Sequence, residues 1–120
     1  MNELKANTIW QHYKSKESIY LILGVSVNSR EPVSRLTYFG KEEFTNEDIA
    51  IYDTVKGNLK LYKTKIKKDG DFKILNVIKE PYVVYTALHE NSIVWCRLLS
   101  DFMSITDTGV PRFKYIKDVE

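Results

Sequence analysis

Residues 81–102 read PYVVYTALHENSIVWCRLLSDF, and the fold is decided by how this stretch is read. Tyr82–Leu88 and Ser92–Leu98 are runs of β-branched and aromatic residues, joined by His89-Glu90-Asn91, a loop of ordinary hairpin length. Tyr82, Tyr85, Trp95 and Phe102 surround two valines, and Arg97 closes the group. Ser100 stands where it can cap a brief helix over Asp101–Ile105. The stretch therefore predicts a β-hairpin followed by a helical turn, with the rest of the chain covering or presenting it.

Upstream, Asn58–Lys67 (NLKLYKTKIK) alternates, with Lys60, Tyr62, Thr64 and Ile66 on one face and Leu59, Leu61, Lys63, Lys65 and Lys67 on the other. Asp69-Gly70 then leads into Phe72–Ile78 (FKILNVI), which is the strongest short hairpin signal a sequence carries. Lysine-rich strands of this kind suit an exposed sheet edge. Thr8–Tyr13, Val33–Phe39 and Pro111–Ile116 read as further strands, after a loosely docked start over Met1–Asn7. Ile19–Val27 (IYLILGVSV) is nearly continuous in apolar residues, the pattern of a strand buried on both faces. Gly24 inside it suggests a bulge or a close approach by another backbone. Phe44–Tyr52 is ambiguous: Thr45 or Asn46 could cap a short helix with Glu47 and Asp48 in its first turn, and Ile49, Ile51 and Val55 weaken that reading. The class is mostly β.

At 120 residues the chain fits one domain, small enough that association with further copies is expected. The net charge of +2 is too balanced to imply a polyanionic partner. Its distribution says more, because Lys41–Asp53 is acidic and Lys56–Lys68 is wholly basic in its charges; the plainer reading is two solvated faces. The single cysteine, Cys96, excludes an intrachain disulfide and reads as a buried, inert strand residue. No apolar run is long enough to span a bilayer and the first residues lack the apolar core of a signal peptide, so the expectation is a cytoplasmic protein, in the host cytoplasm if viral.

Several pieces occur in a recognisable order: Trp10–Lys14 (WQHYK), Tyr20–Asn28 (YLILGVSVN), Pro81–Leu88 (PYVVYTAL), Trp95–Leu98 (WCRL), Asp101–Met103 and Pro111–Tyr115 (PRFKY). Together they resemble a family of very short bacterial proteins classed only as a domain of unknown function, with the pattern HYK, Y-x-V-x-G-V-A, V-V-Y, W-x-R-P and P-R-F. The resemblance implies a small SH3-like barrel and no particular activity or cofactor. Two departures stand out. Arg30–Lys79 separates two strands that lie almost adjacent in the family, and Leu98 stands where the family has proline. The expected organisation is a single domain over 1–120, with a barrel core of 8–30 and 80–116 and an inserted sub-structure over 31–79 that carries the β-hairpin and room for one short helix.

The chemistry points away from catalysis. His12 and His89 are the two histidines, and neither has a carboxylate or thiol at a metal-ligand spacing. There is no glycine-rich phosphate loop and no nucleophile elbow, so neither metal nor cofactor is expected. Glu42-Glu43 and Glu47-Asp48 read as solvated. Aromatic residues, by contrast, sit beside cations repeatedly. Rings stack on bases and arginine forks grip phosphates. The expected contacts of a small anionic ligand, a nucleotide or nucleotide-derived signal, are Tyr13, Lys14, Arg30, Tyr85, Trp95, Arg97 and Arg112. A barrel of this kind would hold such a signal without turnover, as a homo-oligomer, as a virus does in sequestering a host messenger. Two alternatives stay open: single-stranded nucleic acid held by Lys60, Lys63, Lys65 and Lys67, and a protein-interaction module that adds a partner strand to an edge. The plainer reading of the rings and arginines is a core with arginine stems laid over it.

Overall fold

A computed structural model describes residues 4–28, 30–89 and 93–119. Among them run nine strands and one short helix: β1 (Thr8–His12), β2 (Ile19–Val25), β3 (Val33–Glu42), β4 (Asp48–Thr54), β5 (Leu59–Ile66), β6 (Phe72–Val77), β7 (Tyr82–Ala87), β8 (Val94–Leu98), α1 (Leu99–Phe102) and β9 (Phe113–Asp118). The mostly-β class read from the sequence is the class of the molecule. All nine strands join one sheet, in the order β6-β5-β4-β3-β8-β7-β2-β1-β9. Neighbours are antiparallel except β3 and β8, which pair in parallel through Gly40–Val94, Lys41–Trp95 and Glu42–Cys96.

The sheet curls twice, in opposite senses. Strands lie about 4.8 Å apart, so a flat sheet would hold β7 and β9 roughly 14 Å from each other. Instead the rings of Tyr85 on β7 and Phe113 on β9 have centroids 6.3 Å apart, and the Arg97 guanidinium of β8 lies 5.1 Å from the Phe113 ring. Thus β8-β7-β2-β1-β9 wraps around Trp10, Ile22, Val83, Tyr85, Phe102 and Phe113. At the other end β5 returns to β2. Ser26 bridges Leu59, and the Val27 N–H donates to the Leu59 carbonyl at 3.0 Å. So β2-β7-β8-β3-β4-β5 closes around Ile49, Ile51, Leu59, Leu61, Val84 and Cys96. The two barrels share the wall β8-β7-β2.

That sharing explains which strands are most apolar. Successive side chains of a strand point to opposite faces. On β7, Val83 and Tyr85 enter the first core and Val84 the second, and all three are buried. The double burial expected of Ile19–Val27 is complete on β7 and only partial on β2, where Ile22 alone is a fully buried large side chain. Gly24 marks the bulge expected of it, and what comes close to it is a side chain, that of Leu59, rather than another backbone. The β2–β7 register slips between Ile22 and Gly24, and a Cβ at Gly24 would stand 2.7 Å from Leu59 Cδ1.

The ambiguous stretch 44–52 is a turn followed by strand β4, not a helix. Asn46 adopts a left-handed φ of 62° and makes the turn, while Ile49 and Ile51 enter the second core. The hairpin at Asp69-Gly70 forms as expected, with β6 at one edge of the sheet. Its two-faced alternation holds, with Leu59 and Leu61 in the core; Thr64 is buried too, on the opposite face, in the row beside Asp48 and Ile74. The helix starts two residues earlier than Ser100 suggested, with Leu98 before it at φ −50° and no side-chain cap. The loop His89-Glu90-Asn91 falls mostly outside the described residues, as does part of Met1–Asn7. Both sheet edges carry a bulge. Leu75 on β6 and Ile116 on β9 have no partner in the ladder register, and both are exposed.

Candidate functional site

Arg97 is the most heavily engaged cation of the molecule's described residues. Alternation on β8 turns Trp95 and Arg97 to the first core and Cys96 to the second. The Arg97 guanidinium lies between the Phe44 ring at 5.0 Å and the Phe113 ring at 5.1 Å. Its Nη1 donates to Glu43 Oε2 at 2.9 Å, and its Nε donates to Asp101. The Tyr85 hydroxyl donates to the same Glu43 oxygen at 2.5 Å. Burial works against the charge on Arg97, but the hydrogen bond to Asp101 and the charge of Glu43 outweigh it, and its pKa is raised. Burial, with Glu43 beside it, pushes the Tyr85 hydroxyl far up, so it stays a donor. The expected ligand contacts Tyr85 and Arg97 therefore meet, but they meet inside the protein and are committed to Glu43 and Asp101. Trp95 packs half-buried against the same core.

The acidic pairs read as solvated are not all so. Glu42 is buried, and its carboxylate accepts the N–H groups of Phe44 at 3.3 Å and Thr45 at 2.7 Å, which fixes the β3–β4 turn. That turn carries Glu43 and Phe44 over Arg97. A carboxylate two and three residues before open N–H groups is a turn-capping signal that the sequence does contain. The reach of Glu43 to Arg97 is a tertiary contact with no local signal. Cys96 is buried, and burial raises its thiol pKa, which keeps it protonated.

Three other expected contacts gather at the β1–β9 end of the first barrel. The Lys14 ammonium lies 5.9 Å and the Arg112 guanidinium 6.0 Å from the centre of the Tyr13 ring. Arg112 Nε donates to Ser104 Oγ at 2.9 Å. His12 packs beside them, its ring 4.7 Å from that of Tyr13 and 5.0 Å from that of Phe113.

Arg30 stands elsewhere, with lysines of the alternative set. An open hollow of about 530 Å³ is lined by Asn28, Arg30, Lys60, Val77 and Lys79. No carboxylate lines it, and Lys60 donates to the Glu31 carbonyl at 3.4 Å rather than to an acid. A second hollow of about 440 Å³ shares Val77 and Lys79 and continues along Lys63, Asn76, Ile78, Glu80, Tyr82 and Leu98. The two form one trough through Val77 and Lys79, with cations and no carboxylate at one end and, at the other, an aromatic and aliphatic floor flanked by Lys63 and Glu80. Burial, then the charges of Glu42 and Glu80, raise the Tyr82 hydroxyl pKa. Lys63 also pairs with Glu47 at 3.8 Å. Lys65 lies beyond the trough, directly opposite Lys73, and Lys67 lies in the turn after β5. Among the described residues no group of His, Cys, Asp and Glu gathers to hold a metal, and no helix is long and apolar enough to cross a membrane.

Comparison with known proteins adds one finding. Residues 76–115 match a family described as "Protein of unknown function (DUF1653)". The match runs through β7, β8, α1 and the start of β9, the elements around Arg97. No curated protein and no solved structure matches the chain.

Proposed function

We propose that the chain is a non-catalytic binding protein for a small anionic ligand, a nucleotide or nucleotide-derived signal, which it holds rather than converts. The observation that carries this reading is the trough. Arg30, Lys60 and Lys79 line one end without a carboxylate among them, and Tyr82 and Leu98 lie at the other, beside Glu80. Phosphate would sit on the cations and a base on the Tyr82 face, in a volume of the size small-ligand sites have. The trough is built almost wholly from the segment between β2 and β7, which fits an added sub-structure that gave an older barrel a ligand. A homo-oligomer would close its open side.

Thermal unfolding in the presence of mono-, di- and cyclic nucleotides tests this. A ligand at a hundred times its Kd adds about 2.7 kcal/mol of stability, which is a shift of several degrees. Lys60→Gln with Lys79→Gln should abolish the shift while leaving the unliganded melting temperature near that of the parent. If no nucleotide moves the melting temperature at millimolar concentration, the reading is wrong.

A second reading has one observation of its own. Lys65 and Lys73 stand directly opposite on β5 and β6, a like-charge pair that costs stability unless something anionic lies over it. Single-stranded nucleic acid would do so, and its affinity would fall steeply with salt. Gln in place of Lys63, Lys65 and Lys67 should then abolish oligonucleotide binding; unchanged binding with an unchanged salt slope refutes it. The bulges at Leu75 and Ile116 speak against a third reading, addition of a partner strand, because a bulge interrupts the ladder a new strand would join.

A further inference from the structure

We propose that Arg112, Lys14 and His12 form a second anion-binding subsite, for a phosphate-class oxyanion, at the β1–β9 end of the first barrel. It shares no residue with the trough and stands or falls separately from it. Two cations approach one ring: Lys14 and Arg112 lie at 5.9 and 6.0 Å from the centre of Tyr13. Neither is in an ion pair with a carboxylate among the described residues. Arg112 is held in place from behind. Its Nε donates to Ser104 Oγ, and its backbone N–H and carbonyl are bonded to Ser104 and Tyr13. A guanidinium fixed in this way loses little freedom when a phosphate meets its remaining N–H groups.

His12 supplies the third donor. Its Nδ1 accepts the Lys14 N–H at 3.3 Å, which leaves the ring proton of the neutral form on Nε2. The groups that face it are Lys14 on its own side, Arg112 and Phe113 from the β9 side, and Arg97 from β8. The acids nearest Arg97, Glu43 and Asp101, are already bonded to it. Burial, then the charges of Arg97, Lys14 and Arg112, hold the His12 pKa below its ordinary value. An oxyanion among these cations would offset that repulsion. Binding would therefore be accompanied by proton uptake at His12.

The test is an NMR titration of the two histidine rings against pH, in inorganic phosphate, in pyrophosphate, and in sodium chloride at matched ionic strength. Pyrophosphate should raise the His12 midpoint by about one pH unit, since an opposite charge within a few ångströms has at least that effect. His89 should not move. Phosphate alone should act in the same direction at higher concentration. Lys14→Gln, at an exposed position, should reduce the response, and Arg112→Gln should remove it. If chloride shifts His12 as much as pyrophosphate does, or if both variants respond as the parent does, the subsite does not exist. Should Arg112→Gln fail to fold, Lys14→Gln and the chloride control still decide the matter.

Discussion

The two barrels share a wall but are stabilised in different ways. The first is built on rings: Phe102 and Phe113 stack with centroids 4.0 Å apart and planes 5° from parallel, and Trp10 meets Phe102 edge-on at 5.7 Å. A buried cation locks it, since Arg97 ties β8, α1 and the β3–β4 turn together through Asp101 and Glu43. The second is built on Ile49, Ile51, Leu59, Leu61 and Val84, with no ion pair inside it among the described residues. Aromatic cores gain from ring geometry as well as from area, whereas aliphatic cores depend on volume filling alone. The difference teaches where function can reside. The first barrel has fixed its polar groups internally, and the cations left over lie on its rim or on the wall of the second.

The largest contrast is in truncation. Phe102→Ala, which removes a wholly buried ring, should cost about 4 kcal/mol, and Leu61→Ala about 3 kcal/mol, read by urea unfolding. A larger loss at Leu61 would mean that the aliphatic barrel tolerates a lost side chain less well than the aromatic one. Arg97→Ala should cost about 3 kcal/mol, because it leaves Glu43 and Asp101 without their cation. It should also leave any nucleotide-induced thermal shift intact, while Lys60→Gln with Lys79→Gln removes it. If Arg97→Ala abolishes the shift in protein that is still folded, the ligand lies at the first barrel and not in the trough.

The closure of the second barrel is the next effect in size. Gly24→Ala drives a methyl toward Leu59 Cδ1 and should cost about 2 kcal/mol. Leu59→Val alone should cost about 1 kcal/mol. The double variant should be more stable than the two costs imply by about 1 kcal/mol, because the smaller side chain makes room. Strict additivity would mean that β5 does not close on β2.

Much of this was legible in the chain. The hairpins at Asp69-Gly70 and over Tyr82–Leu98 follow from alternation and turn chemistry, and Gly24 announced a bulge. The continuous apolar run at Ile19–Val27 pointed to a doubly buried strand, but Tyr82–Ala87 fills that place, because alternation along one strand cannot say which neighbours will cover each face. The turn at Asn46 was read as a possible helix start, since Thr, Asn and two acids serve a cap and a tight turn equally well. At the candidate site the grouping was not visible in the sequence. Arg97, Arg30 and Arg112 look alike in sequence, yet one is committed to Glu43 and Asp101, one lines the trough and one stands over Tyr13. Only the curl of the sheet separates them.

The smallest effect expected is a pH dependence that belongs to the first barrel alone. His12 has a folded-state pKa below its ordinary 6.5, chiefly through burial and then through Arg97, Lys14 and Arg112. Below 6.5 the unfolded chain therefore binds a proton that the folded one resists. The contribution of His12 to stability is complete above that pH and is lost as pH falls from there through the folded pKa. Unfolding free energy should decline between pH 7 and 5, and His12→Gln should flatten that part of the profile. The second barrel has no histidine in its core, so Leu61→Ala should lower the whole profile and leave its slope between pH 7 and 5 unchanged. A slope that survives His12→Gln would place the titrating group elsewhere and remove His12 as a reporter of charge at the β1–β9 end.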